Sequence, residues 1–454
     1  MEKKTYSLSP LDYLSPRVHV PKLLYFSSNS DPRTITKILQ DGLSETISAF
    51  PVISGSVMAS QKTNCQKGSL TVDAPYFDVK DMLSVKDLSS KYDFESIRAE
   101  GFPTDAVDAD VLPDFARNKS QVLHAQANII RGGFILVCAM HHSVMDGCGM
   151  FNLLKLWSTF CRGENGAKLV NEEWIDNSAL SEGAGTGKLE NHPEYKLLPE
   201  LASSSEYLSS SSDVIDTGLF FFSDDSLQRL KELANGSLEG SSWVSTNDAL
   251  VALIWSSITS ARISTSEITE PSTPSVFAMT VNGRNRCQPP MSPNFTGNVV
   301  LIAKSFSRFS DLTLDESNKK NLGTIARIVR QSIVEVDNAK LKDVIKSIQN
   351  VSDLYRLQPG GYDSQQRDVG CSSWSGMPYY GLDWGEKLGG KCRRFRWRSL
   401  KTDGIFIIFP RIPGDDGDKL GKGGLEICLG LRRECLVALR DDKFFTQFAE
   451  WRCS

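Results

Sequence analysis

Two adjacent histidines and a nearby aspartate stand at the point where an apolar segment of the chain ends. Residues 134–140 form an unbroken apolar run, which is typical of a fully buried strand. His141 and His142 follow that run directly, and Asp146 and Gly147 come a few residues later, just before apolar residues begin to recur at helical spacing. Polar side chains that leave a core between a strand and a helix often have a functional role.

The residue types in this loop suit proton transfer. A neutral imidazole has an unperturbed pKa of about 6.5, so His142 can take a proton from a hydroxyl or an amine near neutral pH. Asp146 can act as a second acid or base, orient the imidazole, or hold the loop through an ion pair. No G-x-S-x-G turn surrounds these residues, which favours direct transfer over a covalent acyl-enzyme.

Two other interpretations of the histidine pair are weaker. The two imidazoles can simply cap a strand, but an aspartate-glycine pair four residues after the second histidine favours chemistry over capping. A metal site is disfavoured because His19, His124 and His192 stand apart, without a C-x-x-C or H-E-x-x-H partner. We therefore expect no metal and no resident cofactor.

Composition narrows the class of protein. The chain has 454 residues, 40% of them hydrophobic and 23% charged, with a formal net charge of −4. This balance gives no reason to expect nucleic acid or an anionic membrane as a partner. The N-terminus lacks the apolar core of a signal peptide, no stretch approaches 18 apolar residues, and the ten cysteines are scattered. We expect a cytoplasmic monomer with reduced thiols.

The best candidate for a domain boundary is a segment rich in serine and glycine at residues 181–214. It separates an N-terminal domain, residues 1–180, from a C-terminal domain, residues 215–454. The last predicted elements of the second domain are a strand at 425–431 and a helix at 434–451.

The motif His-His-Ser-Val-Met-Asp-Gly at 141–147 resembles the HHxxxDG signature of the coenzyme A-dependent acyltransferase superfamily. That superfamily includes BAHD acyltransferases, fungal trichothecene-type O-acetyltransferases and the condensation domains of peptide synthetases. Further stretches resemble the family in the same order along the chain: 7–55, 245–262, 281–298 and 379–385, followed by the C-terminal strand and helix.

The resemblance implies an α/β fold of the chloramphenicol acetyltransferase type. Two similar domains, each a mixed β-sheet flanked by helices, would enclose an active-site channel with His142 at its middle. A segment near 370–400 would pack back on the N-terminal domain, and 181–214 would be the crossover between the domains. The opening residues and the loose second signature favour the fungal acetyltransferases.

The resemblance also implies roles for individual residues. In the family an arginine of the second domain pairs with the motif aspartate, which assigns Asp146 and Arg284 to structure, with Arg286 as the alternative partner. Asp383 and Gly385 match the family's second signature and would form a structural turn. Gly147 belongs to the first signature and has a structural role as well.

Two further groups of residues are candidates for substrate contacts. Trp384, which replaces the phenylalanine of the second signature, or Thr246 of the second domain can donate a hydrogen bond to the oxyanion or contact the substrate. Arg394, Arg396 and Arg398 alternate with aromatic residues and therefore share one strand face. That face can bind the phosphates of coenzyme A or form a solvated channel wall.

The function that the resemblance implies is transfer of an acyl group, most often acetyl, from acyl-coenzyme A to a hydroxyl of a small secondary metabolite. His142 would be the general base, acyl-coenzyme A a co-substrate and the acceptor a small molecule. Three alternatives stay open: a condensation-type enzyme with a carrier-bound donor, N-acylation of an amine, and a non-catalytic protein that binds a small ligand.

Overall fold

The computed structural model describes residues 4–62, 65–74, 79–199, 214–238, 242–265, 270–360, 367–414 and 423–453. Its strands are β1 Lys4–Ser7, β2 His19–Ser27, β3 Ser56–Ala59, β4 Leu70–Ala74, β5 Leu83–Asp87, β6 Leu123–Ile130, β7 Gly133–His141, β8 Tyr195–Leu197, β9 Ile215–Ser223, β10 Pro274–Asn282, β11 Val300–Arg308, β12 Leu357–Pro359, β13 Val369–Ser373, β14 Arg394–Arg396, β15 Ile405–Ile408, β16 Gly424–Arg432 and β17 Glu450–Cys453.

The helices alternate with these strands along the chain. They are α1 Pro32–Ala49, α2 Val79–Met82, α3 Phe94–Ala99, α4 Gly147–Cys161, α5 Asp224–Gly236, α6 Thr246–Thr265, α7 Phe309–Leu312, α8 Asn321–Val334, α9 Asn338–Gln349 and α10 Arg433–Asp441. Within the described ranges, no helix combines the length and the apolar character that a membrane crossing requires.

A five-stranded sheet organises the N-terminal half, in the order β14-β2-β7-β6-β5. The hairpin β6–β7 turns at Gly132, which has φ +78°, a conformation that glycine adopts without a steric penalty. The buried strand β7 ends at His141, and α4 begins six residues later. On the inner side of the sheet, α1 and α4 pack together with the apolar side chains of β2 and β7.

A seven-stranded sheet organises the C-terminal half, in the order β11-β10-β13-β15-β16-β9-β17. Both large sheets are mixed, because β5 runs parallel to β6 in the first and β13 runs parallel to both β10 and β15 in the second. The apolar helix α6 packs against one face of the second sheet, where Trp255 stacks on Phe277. The predicted fold class, with a mixed sheet and flanking helices in each half, is confirmed.

We propose that the domain boundary lies in the predicted crossover, residues 181–214. Of this segment, 200–213 lie outside the described residues. The described part runs along α9, where His192 Nε2 lies 3.0 Å from Asp343 Oδ2 and Ala184 N donates to Lys342 O. It ends in β8, which pairs with β12.

The C-terminus differs from the prediction of one helix over 434–451. Helix α10 ends at Asp441, and residues 450–453 form β17, which pairs with β9 at the edge of the large sheet. The side chain of Asp442 accepts hydrogen bonds from the backbone of Phe444 and Phe445, which starts a new turn. Both phenylalanines are buried, so the apolar pattern that predicts a longer helix instead fills the core below β9.

Strand β14 connects the two halves. It belongs to the C-terminal part of the sequence but pairs with β2 of the first sheet, with Phe395 opposite Leu24. Its Arg396 is buried and forms a two-pronged ion pair with Glu426 of β16, with nitrogen–oxygen distances of 2.6 and 3.2 Å. One buried ion pair therefore joins a strand of the first sheet to a strand of the second.

Substitution of Arg396 by methionine should lower the stability of the protein. The variant leaves the Glu426 carboxylate buried without its partner, which typically costs about 3–5 kcal/mol in the free energy of unfolding. Urea denaturation followed by tryptophan fluorescence measures the change. The control is Arg393→Met, since Arg393 is exposed and should change stability by less than about 0.5 kcal/mol. Equal shifts of the two midpoints would contradict the role given to this pair.

Candidate active site

His142 lies directly after β7, at the junction of the two halves. Its backbone N–H donates to Val18 O, 2.8 Å away, and its carbonyl accepts a hydrogen bond from Asn298 Nδ2 at 2.8 Å. Val18 precedes β2 in the first half, whereas Asn298 comes from the loop before β11 in the second. The position of this peptide therefore depends on both halves of the chain.

The imidazole of His142 is half-buried, and its two nitrogens have different surroundings. Nδ1 is buried and has no hydrogen-bond partner among the described residues. Burial lowers the pKa of His142, because the charged imidazolium loses hydration. The ring is therefore neutral at physiological pH, as a general base requires.

Asp146 and Arg284 form a buried ion pair behind the motif loop. Arg284 Nη1 lies 2.7 Å from Asp146 Oδ2, and Nη2 lies 2.9 Å from Oδ1. The same carboxylate caps α4 by accepting from Gly149 N and also accepts from Val299 N. Arg284 further donates to the carbonyls of Phe295 and Gly297. These contacts join the motif loop to the segment between β10 and β11, so the pair has a structural position.

Two other predicted residues of the signatures lie near this pair. Arg286, the alternative partner, lies in the same turn as Arg284 and does not contact Asp146 among the described residues. Gly147 is the first residue of α4, and a side chain there would meet Met377. At Gly149 a Cβ would stand 1.9 Å from Thr296 O, so only glycine permits this close approach of the two loops.

A second polar connection reaches His142 from the N-terminal segment. Asp12 Oδ1 accepts from both Asn298 N and Asn298 Nδ2, at 2.9 and 2.8 Å, and Oδ2 accepts from Ser9. Because Asn298 Nδ2 also reaches His142 O, Asp12 and His142 share one amide group. Burial raises the pKa of Asp12 to about 6, against the lowering effect of these hydrogen bonds. The spacing of Ser9 and Asp12 predicts a local cap, but it does not predict the hydrogen bonds between Asp12 and Asn298.

Lys22 is a buried cation that sequence analysis missed. It lies in β2 opposite Cys138, with Nζ 3.0 Å from Met150 Sδ and 4.6 Å from the centre of the Trp374 ring. Burial lowers the pKa of Lys22 to about 7. Its positive charge is also one of the influences that lower the pKa of His142. The signal in the sequence is a lysine inside the apolar run of residues 20–26.

The structure contradicts a role for Trp384 at the reacting centre. Trp384 packs edge-on against Phe26 and Trp157, with ring centres 5.7 Å apart in each case. Phe26 pairs with Phe134, at the opposite end of β7 from the histidines. Eight residues of extended chain separate Phe134 from His142, a distance of roughly 25 Å. The tryptophan therefore belongs to the core behind α4.

Burial contradicts the predicted phosphate contact for Arg394 and Arg396, whereas that of Arg398 stays a prediction. Arg394 and Arg396 are buried, and Arg396 is occupied by Glu426 and by the carbonyls of Gly101 and Phe102. Arg398 is half-buried, and its Nε donates to Val107 O. The segment around Phe102 covers the strand face that the alternating pattern would leave to solvent.

The remaining predicted residues lie away from His142. Asp383 and Gly385 form a tight turn in which Gly385 N donates to Asp383 Oδ1 and Gly385 has φ +93°. Thr246 is the first residue of α6 and is half-buried, and in the described structure no hydrogen bond joins it to the motif loop. Their roles stay as predicted from the resemblance.

Three further histidines pack on the other side of the first sheet. The ring of His19 meets those of His124 and His141 edge-on, with centres 4.7 and 5.2 Å apart. His19 and His124 each donate from Nε2 to a backbone carbonyl. Burial lowers the pKa of all three, that of His141 to about 3. The described residues contain no group of three or more potential ligands arranged to hold a metal ion.

Comparison with known sequences identifies the family. A sequence model of the Transferase family matches residues 1–445. The chain belongs to this family. The predicted resemblance to BAHD-like and fungal trichothecene-type acyltransferases is therefore confirmed.

Individual relatives of this Transferase-family protein are fungal. Eremophilane O-acetyltransferase prx11 of Penicillium rubens is 28% identical over 491 residues, which cover 98% of each chain. Trichothecene 3-O-acetyltransferase TRI101 of Fusarium sporotrichioides is 27% identical, with 93% of this chain and 91% of that protein covered. The predicted enzyme class, an O-acyltransferase, is confirmed.

The fold is shared with a solved structure. The crystal structure of F. graminearum TRI101 complexed with coenzyme A and deoxynivalenol is similar with a TM-score of 0.79 and 23% identity, and it covers 99% of this chain and 100% of that one. The likeness extends over both halves, so the two-sheet arrangement of this Transferase-family protein is that of the comparison structure.

Loss of either member of the Asp146–Arg284 pair should destabilise the protein. We expect Asp146→Asn and Arg284→Met each to cost about 3–5 kcal/mol of unfolding free energy, because each leaves a buried group without its partner. The double variant should cost less than the sum. Chemical denaturation of the four proteins measures the cycle, with Asp41→Asn of the exposed Lys37–Asp41 pair as the control. Strict additivity of the two single changes would contradict the coupling.

The lowered histidine pKa values predict a loss of stability in mild acid. Unfolded His141 takes up a proton as the pH falls through about 6.5, whereas folded His141 does so only near pH 3. Stability contributed by this group is therefore present above pH 6.5 and lost as the pH falls below it, by about 1–2 kcal/mol at pH 5. Denaturation midpoints between pH 8 and 5 should fall less steeply for His141→Asn than for the unchanged protein. Parallel curves would exclude His141 as the source.

Proposed function

We propose that this protein transfers an acetyl group from acetyl-coenzyme A to a hydroxyl of a small secondary metabolite, with His142 as the general base. The observation that carries the proposal is the state of His142: a neutral, half-buried imidazole at the junction of the two halves, with its backbone held from both sides. The names of the relatives support acetyl as the acyl group, and the coenzyme A bound in the comparison structure supports acetyl-coenzyme A as the source. Those names give eremophilanes and trichothecenes as acceptors, so we propose a polycyclic terpenoid alcohol as the acceptor class.

The reaction is a direct transfer without an acyl-enzyme. His142 Nε2 removes the proton from the acceptor hydroxyl while the oxygen attacks the thioester carbonyl carbon. The carbon–sulfur bond of the resulting tetrahedral intermediate then breaks, and the imidazolium returns the proton to the thiolate. The products are the acetyl ester and free thiol, and the base is restored. A positioned base of this kind typically contributes about 10²–10⁴-fold to the rate.

Asp146 is not part of this proton path. Its carboxylate oxygens are occupied by Arg284, Gly149 and Val299, and it is buried. Asp12 and Asn298 position the His142 peptide. The working form that we propose is a cytoplasmic monomer with no bound metal.

The alternative is a condensation-type enzyme that takes its acyl group from a carrier protein, and an acetyl-transfer assay can distinguish the two. The sequence argues against this alternative through an arginine face that could bind the 3′-phosphate of free coenzyme A, but Arg394 and Arg396 of that face are buried. An assay that compares the two acetyl donors is therefore required. Acetyl-coenzyme A and acetyl-phosphopantetheine on a carrier protein can be compared at equal concentration with the same acceptor.

Thiol release from acetyl-coenzyme A tests the proposal. We expect release that depends on a terpenoid alcohol and that falls about 10²–10⁴-fold in His142→Ala. His124→Asn, a histidine of the opposite sheet face, should keep full turnover. The acidic limb of kcat/KM should lie below pH 6.5, because burial lowers the pKa of the base. A folded His142→Ala protein with unchanged turnover would exclude this base, and release only from the carrier-bound donor would favour the condensation-type enzyme.

A further inference from the structure

Lys22 lies on the core face of the first sheet, on the same side as His142. Side chains of β2 alternate between the two faces, and Val20 and Leu24 pack into the core with α1 and α4. Lys22, midway between these two residues, is fully buried on that face and stands opposite Cys138 of β7. His142 follows Cys138 by four residues, an even step, so alternation directs both side chains to the core face.

The ammonium of Lys22 has weak partners for a buried cation. Its Nζ donates to Met150 Sδ at 3.0 Å and lies 4.6 Å from the centre of the Trp374 ring. An ammonium has three donors, and a thioether sulfur is a weak acceptor. Among the described residues, Lys22 forms no ion pair and no further hydrogen bond. Buried cations are ordinarily paired, so this position departs from the rule.

The nearest acidic influence on Lys22 is already committed elsewhere. Asp146 acts on Lys22 at longer range and favours its charged form. Both oxygens of that carboxylate, however, accept hydrogen bonds from Arg284. The Asp146–Arg284 pair is neutral as a whole, so it does not cancel the charge of Lys22. A negative charge that forms near His142 during a reaction would therefore be attracted to Lys22.

Few groups near Lys22 and His142 change protonation around neutral pH. Burial lowers the pKa of Lys22 to about 7 and also lowers that of His142. Burial raises the pKa of Cys138, Cys148 and Tyr379, so these three groups stay protonated. The other charged or titratable groups on the elements packed here are Asp12, His141, Asp146 and Arg284. Within this set, Lys22 is the group that loses its proton as the pH rises above about 7.

We propose that the positive charge of Lys22 stabilises the oxyanion of the tetrahedral intermediate. The inference rests on the proposed acetyl transfer. When the acceptor oxygen bonds to the thioester carbon, the carbonyl electron pair moves onto oxygen. It returns as the carbon–sulfur bond breaks, and the departing sulfur takes the proton held by His142. Lys22 keeps its own proton throughout and acts through space.

The same charge prepares the base before the reaction. A cation near His142 disfavours the imidazolium, so the ring is free to accept the proton of the acceptor. A charge fixed in the core also needs no reorganisation when the oxyanion forms. Lys22 thus acts at two stages of one reaction without touching the substrate.

Replacement of Lys22 with and without retention of its charge tests the inference. In the unchanged protein, kcat/KM for acetyl transfer to a terpenoid alcohol should fall as the pH rises above about 7, because Lys22 loses its proton. Lys22→Met should lower kcat/KM at pH 6.5 by at least about tenfold and abolish this basic limb. Lys22→Arg should keep more activity than Lys22→Met and also lack the limb, because a guanidinium stays charged.

The matched control is Leu24→Met, which alters packing on the same face of β2 without changing charge. Its basic limb should coincide with that of the unchanged protein. A purely structural role of Lys22 would lower the rate but leave the limb in place. Persistence of the limb in both Lys22 variants would therefore overturn the inference, as would equal turnover of Lys22→Met and the unchanged protein.

Nuclear magnetic resonance separates this inference from the proposed function. If the unchanged protein transfers no acetyl group, the proposed function fails, but the ring of His142 can still be titrated without substrates. The pKa of His142 should be higher in Lys22→Met than in the unchanged protein, and equal values would overturn the inference. If Lys22→Met does not fold, the ε-carbon of Lys22 in the unchanged protein reports the pKa of the ammonium. That pKa should match the basic limb of kcat/KM, and a mismatch would overturn the inference.

Discussion

The ion pair between Asp146 and Arg284 is the interaction on which the site depends. The two side chains come from different halves of the chain and are both buried, so neither charge has water as an alternative partner. Such a pair adds little net stability compared with apolar packing, but the loss of one partner is costly. Its effect is therefore on geometry: the halves must dock in the one register that brings the guanidinium to the carboxylate. The close approach of Gly149 to Thr296 is possible only in that register.

The docking of the two halves fixes the position of the His142 peptide. Asn298 follows the loop that Arg284 organises, and its side-chain amide holds the carbonyl of His142 on one side and the carboxylate of Asp12 on the other. Among the described residues, Nδ1 of the ring has no hydrogen-bond partner. The nearby buried Lys22 favours the neutral imidazole. Neighbouring groups thus set the position of the His142 peptide and the protonation state of its ring.

Much of the fold was predictable because it depends on local periodicity. Short stretches of sequence are enough to predict the buried strand before His141, the hairpin at Gly132 and the helix after Asp146. The failures have long-range causes. Arg396 is internal because Glu426 reaches it from another strand, and an alternating pattern contains no information about such a partner. Trp384 is far from His142 because its loop folds over α4, which residue type alone does not indicate. The pairing of Asp146 with Arg284 was accessible only through the family resemblance.

The motif loop and the outward face of β10 differ in how freely their residues can change. Asp146, Arg284 and Gly149 are each held by several buried contacts, so substitution there affects the docking of the two halves. Ala278 and Thr280 face away from the core that Phe277 shares with α6, and surface positions of this kind tolerate change at little cost in stability. Substitutions on this outward face can therefore change its shape and polarity while the position of His142 stays fixed.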